Sequence, residues 1–163
     1  MYHKRPGTAI IKAKPELRLA IAGKVCNEIQ SICNEIQVDS HLMKNVDLLG
    51  YVEDLSAFYC EAKVMLCPVR TGGGTNMKLV EAMSYFLPIV TTQQCADALF
   101  MENNVNAFIS DDPVEYAGYV VDLLDDPQLA QRISNGIEAT YKRYYSKAAI
   151  YSQLDSLFGI EVV

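Results

Sequence analysis

The run VMLCPVRTGGGTNMKLVEAMSYFLPIVTT, residues 64–92, decides how the rest of the chain is read. It opens on a short apolar stretch, Val64 to Cys67, and crosses three glycines. It then enters a run of helix formers and ends on a second apolar stretch, Pro88 to Thr92. Short apolar runs bounded by turn residues suit buried strands, so the segment reads as strand, glycine loop, helix, strand.

Working outward, the same signature recurs in LRLAIAG (17–23), VDLL (46–49) and AFIS (107–110), with helical-period stretches between them. Such alternation predicts an α/β fold, a Rossmann-like doubly wound parallel sheet with helices on both faces. Right-handed crossovers then place every strand-to-helix loop at one sheet edge, where folds of this kind bind ligands.

The glycine loop sits at that edge. Asn76 is a good N-cap for the helix MKLVEAMSY, with Met77, Val80 and Met83 expected on the sheet and Lys78 and Glu81 turned away. Free N–H groups and the helix dipole favour an anion there, and glycines let the backbone approach phosphate oxygens. Lys78 in the first turn opposes the dipole, and its place three residues before Glu81 is the poorer orientation for an intrahelical pair. A phosphate held between the loop and Lys78 reverses that penalty. Glu81, one turn on, can accept hydrogen bonds from the vicinal hydroxyls of a ribose. The competing reading is a flexible turn followed by a solvated Lys–Glu pair, and a glycine run alone does not decide between them. The loop is neither a Walker A sequence nor a G-x-G-x-x-G.

Composition narrows the function. Of 163 residues, 50% are hydrophobic and 21% charged, which is enough apolar content to bury a core. A net charge of -6 without a basic run argues against nucleic acid or an anionic membrane as the main partner. Acidic residues crowd one stretch (Asp111, Asp112, Glu115, Asp122, Asp125, Asp126), whereas Arg70 and Lys78 flank the glycines. No signal peptide or membrane-spanning run is seen, and a cytoplasmic location is expected. The five cysteines, Cys26, Cys33, Cys60, Cys67 and Cys95, lack C-x-x-C spacing and read as buried free thiols. His3 and His41 have no partner at catalytic spacing, so histidine chemistry has little support.

VCNEIQS followed by ICNEIQV puts Cys26, Ile29, Cys33 and Ile36 at coiled-coil spacing. Two heptads are too few for a supercoil, and the stripe reads as the core face of one helix. From Pro113 onward three helices are expected, PVEYAGYVVDLLDD, PQLAQRISNGIEATYKRYYS and KAAIYSQLDSLF, the first two opening on proline. Their tyrosines read as packing residues with wet hydroxyls. No stretch has linker composition, so a single domain over residues 1–163 is expected.

With those motifs in place, the chain from roughly Pro15 to Tyr145 resembles the C-terminal, donor-binding half of retaining GT-B glycosyltransferases of the group 1, family 4 type. The matching pieces are GYV (50–52), AKVMLCPV (62–69), LVEAMSYFLPIVTT (79–92) and NNVNAFISDDPVEYA (103–117). The resemblance implies a nucleotide-diphosphate sugar as donor substrate, no cofactor and no metal, and no Asp-x-Asp is present to bind one. It implies that Glu81 holds the ribose. It also implies that amides around Thr75, Asn76 and Met77 bind the diphosphate, with Lys78 reaching it. Gly73 and Gly74 would lie beside the sugar, and the backbone near Tyr51 and Val52 would meet the base.

Departures from the family pattern accompany it. Gly73 stands where the first glutamate of the family's Glu-x7-Glu pair belongs, and Leu87 stands for the usual glycine before the proline. The family's opening strand, with its G-R and K-G phosphate residues, and its N-terminal acceptor domain have no counterpart in this sequence. The expectation is therefore half of a glycosyltransferase, inactive alone and partnered by the other GT-B domain or a partner chain. Any peripheral membrane association would belong to that other half. No catalytic side chain is assigned. The alternatives are a non-catalytic nucleotide-sugar-binding subunit or a degenerate structural domain.

Overall fold

The computed structural model describes residues 10–11, 13–35, 43–71 and 76–159, and the chain falls into two compact units, Met1–Glu61 and Ala62–Val163. His3, His41, Ile36, Gly73, Gly74 and Thr75 lie outside the described residues.

In the first unit, β1 (Leu19–Ala22) and β2 (Val46–Gly50) pair in parallel, and α1 (Val25–Glu35) packs on both. Cys26 is the buried anchor of α1: its thiol donates to the Ile21 carbonyl at 3.1 Å and accepts from the Gly50 amide at 3.4 Å. Ile29 and Cys33 are half-buried, as expected for one packed helix face. The Arg18 guanidinium forms a two-point pair with Asp47, stapling the strand starts from the solvent side. Helix α2 (Leu55–Glu61) is capped by Asp54, whose carboxylate accepts from the amides of Ser56 and Ala57 at 3.0 and 3.1 Å. Those bonds favour the charged carboxylate and hold its pKa below the ordinary value.

The second unit carries a three-stranded parallel sheet in the order β3 (Met65–Cys67), β4 (Ile89–Thr91), β5 (Phe108–Ile109). Helix α3 (Met77–Ser84) joins β3 to β4, and α4 (Gln93–Asp97) follows β4. After β5 come α5 (Pro113–Asp125), α6 (Pro127–Tyr144) and α7 (Lys147–Phe158). Four of the five strands fall inside the apolar runs read from the sequence, β2 runs one residue past its run to Gly50, and all pair in parallel, in two sheets flanked by helices. The core of this unit is built on Leu79, Met83, Ile89, Val90, Leu99, Val120, Ile133 and Ile137, all essentially inaccessible.

Two of the crowded acids have a structural task. Asp112 accepts from the amides of Val114 and Glu115, and Asp126 from those of Gln128 and Leu129, each capping a helix that opens on proline. Carboxylates there also complement the helix dipole.

Four expectations are corrected. The buried face of α3 is Leu79, Ala82 and Met83, while Met77 is 67% exposed. Eight residues carry two apolar stripes, and the one facing β3 and α6 is buried. Cys60 is exposed and Cys33 half-buried, so only three of the thiols are core residues. The Tyr116 hydroxyl is not wet but buried, donating to the Val90 carbonyl. The glycine-like position near Pro88 is Phe86, at φ 55°, rather than Leu87. Phe86 closes α3: its amide donates to Met83 O at 3.0 Å and that of Leu87 to Ala82 O at 3.3 Å, a Schellman closure with an aromatic in glycine's place.

Candidate functional site

Parallel pairing aligns the strand ends of the second unit. Cys67, Thr91 and Ile109 lie in one row across the sheet, so the loops leaving β3, β4 and β5 emerge at the same edge. Side chains tie those loops together. The Thr92 hydroxyl donates to the Val69 carbonyl, and Arg70 Nη2 donates to the Asp111 carbonyl at 2.7 Å. The Gln93 amide at the start of α4 donates to Asp111 Oδ1 at 3.3 Å. An exposed guanidinium is thus fixed across the edge of the sheet.

Helix α3 starts at this edge. Asn76 holds the N-cap position in the extended conformation capping residues use (φ -77°, ψ 90°), yet its side chain caps nothing. Its Nδ2 donates instead to Cys67 Sγ at 3.1 Å, while its backbone carbonyl accepts from the Leu79 amide at 2.9 Å. The amides of Met77 and Lys78 find no acceptor among the described residues. Lys78 is exposed, and Glu81 is half-buried one turn further on. The Glu81 backbone is held by Ser84, whose hydroxyl donates to its carbonyl at 2.6 Å.

Beneath the cap lies a thiol pair that sequence reading did not connect to the site. Cys67 Sγ is 3.8 Å from Cys95 Sγ, and Cys95 Sγ is 3.9 Å from the Val69 carbonyl. Burial, reinforced by the neighbouring thiol, pushes Cys67 up to about 11, so it stays protonated at neutral pH. The sequence signal was only that both cysteines sit at strand-to-helix boundaries; Asn76, Cys67 and Cys95 meet through the fold.

Of the residues expected at the site, Asn76, Met77, Lys78 and Glu81 share the first turns of α3. Tyr51 and Val52 belong to the first unit, just past β2, where Gly50 takes φ 63° and Tyr51 is 90% exposed. Among the described residues no group of three or more His, Cys, Asp or Glu is placed to hold a metal, and no helix is long and apolar enough to cross a membrane.

The arrangement is that of a parallel α/β domain presenting an open helix start beside a cation. Residues 8–126 match the family described as glycosyl transferases group 1, and the chain belongs to that family. No curated protein matches it in sequence. Its fold is that of GT-B glycosyltransferase structures. HepE from Anabaena, in complex with UDP, is similar at a TM-score of 0.77 and 17% identity, over 94% of this chain and 44% of that one. WaaG, a glycosyltransferase involved in lipopolysaccharide biosynthesis, gives 0.69 at 15% identity, over 94% and 42%. The C-terminal domain of the group 1 glycosyl transferase LpcC from Francisella tularensis gives 0.68 at 16% identity, over 87% and 77%. The chain thus spans less than half the length of HepE and WaaG but most of that isolated C-terminal domain.

Proposed function

We propose that this chain is the donor-binding part of a sugar-nucleotide-dependent glycosyltransferase and that the start of α3 receives the donor's diphosphate. The observation that carries the reading is the open N-terminus of α3, with uncapped amides, Lys78 in its first turn and Glu81 one turn on, in a member of the group 1 family. The amides and the lysine neutralise charge on the leaving diphosphate, which is electrostatic catalysis without a covalent intermediate. Glu81 accepts hydrogen bonds from the ribose. HepE was crystallised with UDP, so uridine diphosphate is the first donor nucleotide to try.

Transfer needs an acceptor site as well. Because the chain spans under half of HepE and WaaG, we assign that site to sequence beyond these residues or to a partner chain. Calorimetric titration with UDP, GDP and ADP tests the donor reading. Micromolar-range binding of one of them supports it, and silence from all three leaves a structural domain.

A further inference from the structure

Of the four described helices of the second unit besides α3, three are capped by their N-cap side chain, and α4, behind Thr92, is not. Asp112, Asp126 and Ser146 all have extended backbones, and each accepts from first-turn amides, at 2.8–3.2 Å. Asn76 has the same backbone class and one of the best capping side chains, but it is engaged by Cys67. The Cys67 sulfur, 3.8 Å from Cys95 Sγ, carries two lone pairs, and whichever thiol donates between the two sulfurs one remains to accept from the Asn76 amide. Both sulfurs are buried, so water does not compete for this acceptor.

We propose that Cys67 is a positioning residue of the donor site: its sulfur holds the Asn76 amide off the N-cap, so that the first-turn amides of α3 remain open to a diphosphate oxygen. This rests on the donor reading above. Its physical content is a competition. Released from Cys67, the Asn76 side-chain oxygen turns onto the open Lys78 amide, much as Asp112 accepts from Val114 on α5, and occupies the place an anion would take. The helix gains stability and the site loses donors.

The test is a mutant cycle. UDP, GDP and ADP are titrated calorimetrically into the wild-type chain, Cys67→Ala, Cys67→Ser, Asn76→Ala and the double variant Cys67→Ala/Asn76→Ala. Amide hydrogen exchange at Lys78 is followed in each free protein. Cys67→Ala is expected to weaken the best nucleotide by about five- to tenfold, the worth of one cap interaction, and to slow exchange at Lys78. The double variant should bind like Asn76→Ala, because once no side chain is left to close the cap the loss of Cys67 costs nothing further. Cys67→Ser, which keeps an acceptor, should bind like wild type. Unchanged binding by Cys67→Ala beside a binding wild type overturns the positioning role alone. So does a double variant that falls below Asn76→Ala by the same factor that separates Cys67→Ala from wild type, which makes Cys67 merely structural. Absence of binding by the wild type overturns the donor reading and the proposal together.

Discussion

The Tyr116 hydroxyl donates to the Val90 carbonyl oxygen at 2.8 Å, tying α5 to the middle strand of the β3-β4-β5 sheet from inside the core. A buried bond of this kind contributes on the order of 1 kcal/mol net. Tyr116→Phe keeps the ring and removes the donor. It should lower the unfolding free energy by that amount, seen as a lower urea midpoint with the slope of the transition unchanged. An unchanged midpoint would mean the bond adds nothing.

The same burial makes stability sensitive to alkali. Burial raises Tyr116 above its ordinary 10.0, and burial with the Cys95 neighbour raises Cys67 from 9.0 to about 11. The unfolded chain therefore releases these protons first and binds fewer of them, so stability falls as pH rises. The contribution is complete below pH 9, Cys67 begins to lose it there, and Tyr116 joins from pH 10. Urea midpoints measured between pH 7 and pH 11 should decline above 9, and Tyr116→Phe should flatten the part above 10. A variant profile parallel to wild type would contradict the assignment.

Gly136 lets α6 approach the 102–107 loop. A Cβ there would meet the Val105 carbonyl oxygen at 2.3 Å and its carbon at 3.0 Å, both backbone atoms with no rotamer to yield. The loop is also pinned by Asn106, which donates to Phe100 O and Thr140 Oγ1, and by Arg132 on Asn104. Gly136→Ala should destabilise the protein by about 1–3 kcal/mol in a chemical melt, the usual cost of overpacking. A neutral result would mean that α6 slides freely on the loop.

What could be read in advance follows from how local each feature is. The strands were legible because each lies in a short, largely apolar run bounded by turn residues, and α5 and α6 because each opens on a proline in its first turn. The apolar stripe of α3 was misread because Met77 and Leu79 are equally apolar, and only the packing of β3 and α6 chooses between them. The Asn76 side chain was legible as a cap by type. Its actual partner, Cys67, lies nine residues away, at the end of a strand. Phe86 was unreadable for a different reason: an aromatic at φ 55° defies local preference and is held by the Schellman closure and by edge-on contact with Tyr141 on α6.

Glu81 separates function from stability. It lies on α3 beside the buried Leu79–Ala82–Met83 face but is itself half-buried. Glu81→Ala should weaken nucleotide binding at least tenfold, by loss of charged hydrogen bonds to the ribose, and shift the melting temperature little. A large fall in melting temperature with proportionate loss of binding would make Glu81 a structural residue.

The most direct measurement is a calorimetric titration of the wild-type chain and its Lys78→Ala variant with UDP, GDP and ADP at low and high salt. The account predicts that one nucleotide binds the wild type, that added salt weakens it, and that Lys78→Ala loses both affinity and most of the salt dependence. Wild type and variant binding with equal strength at both salt concentrations would contradict it.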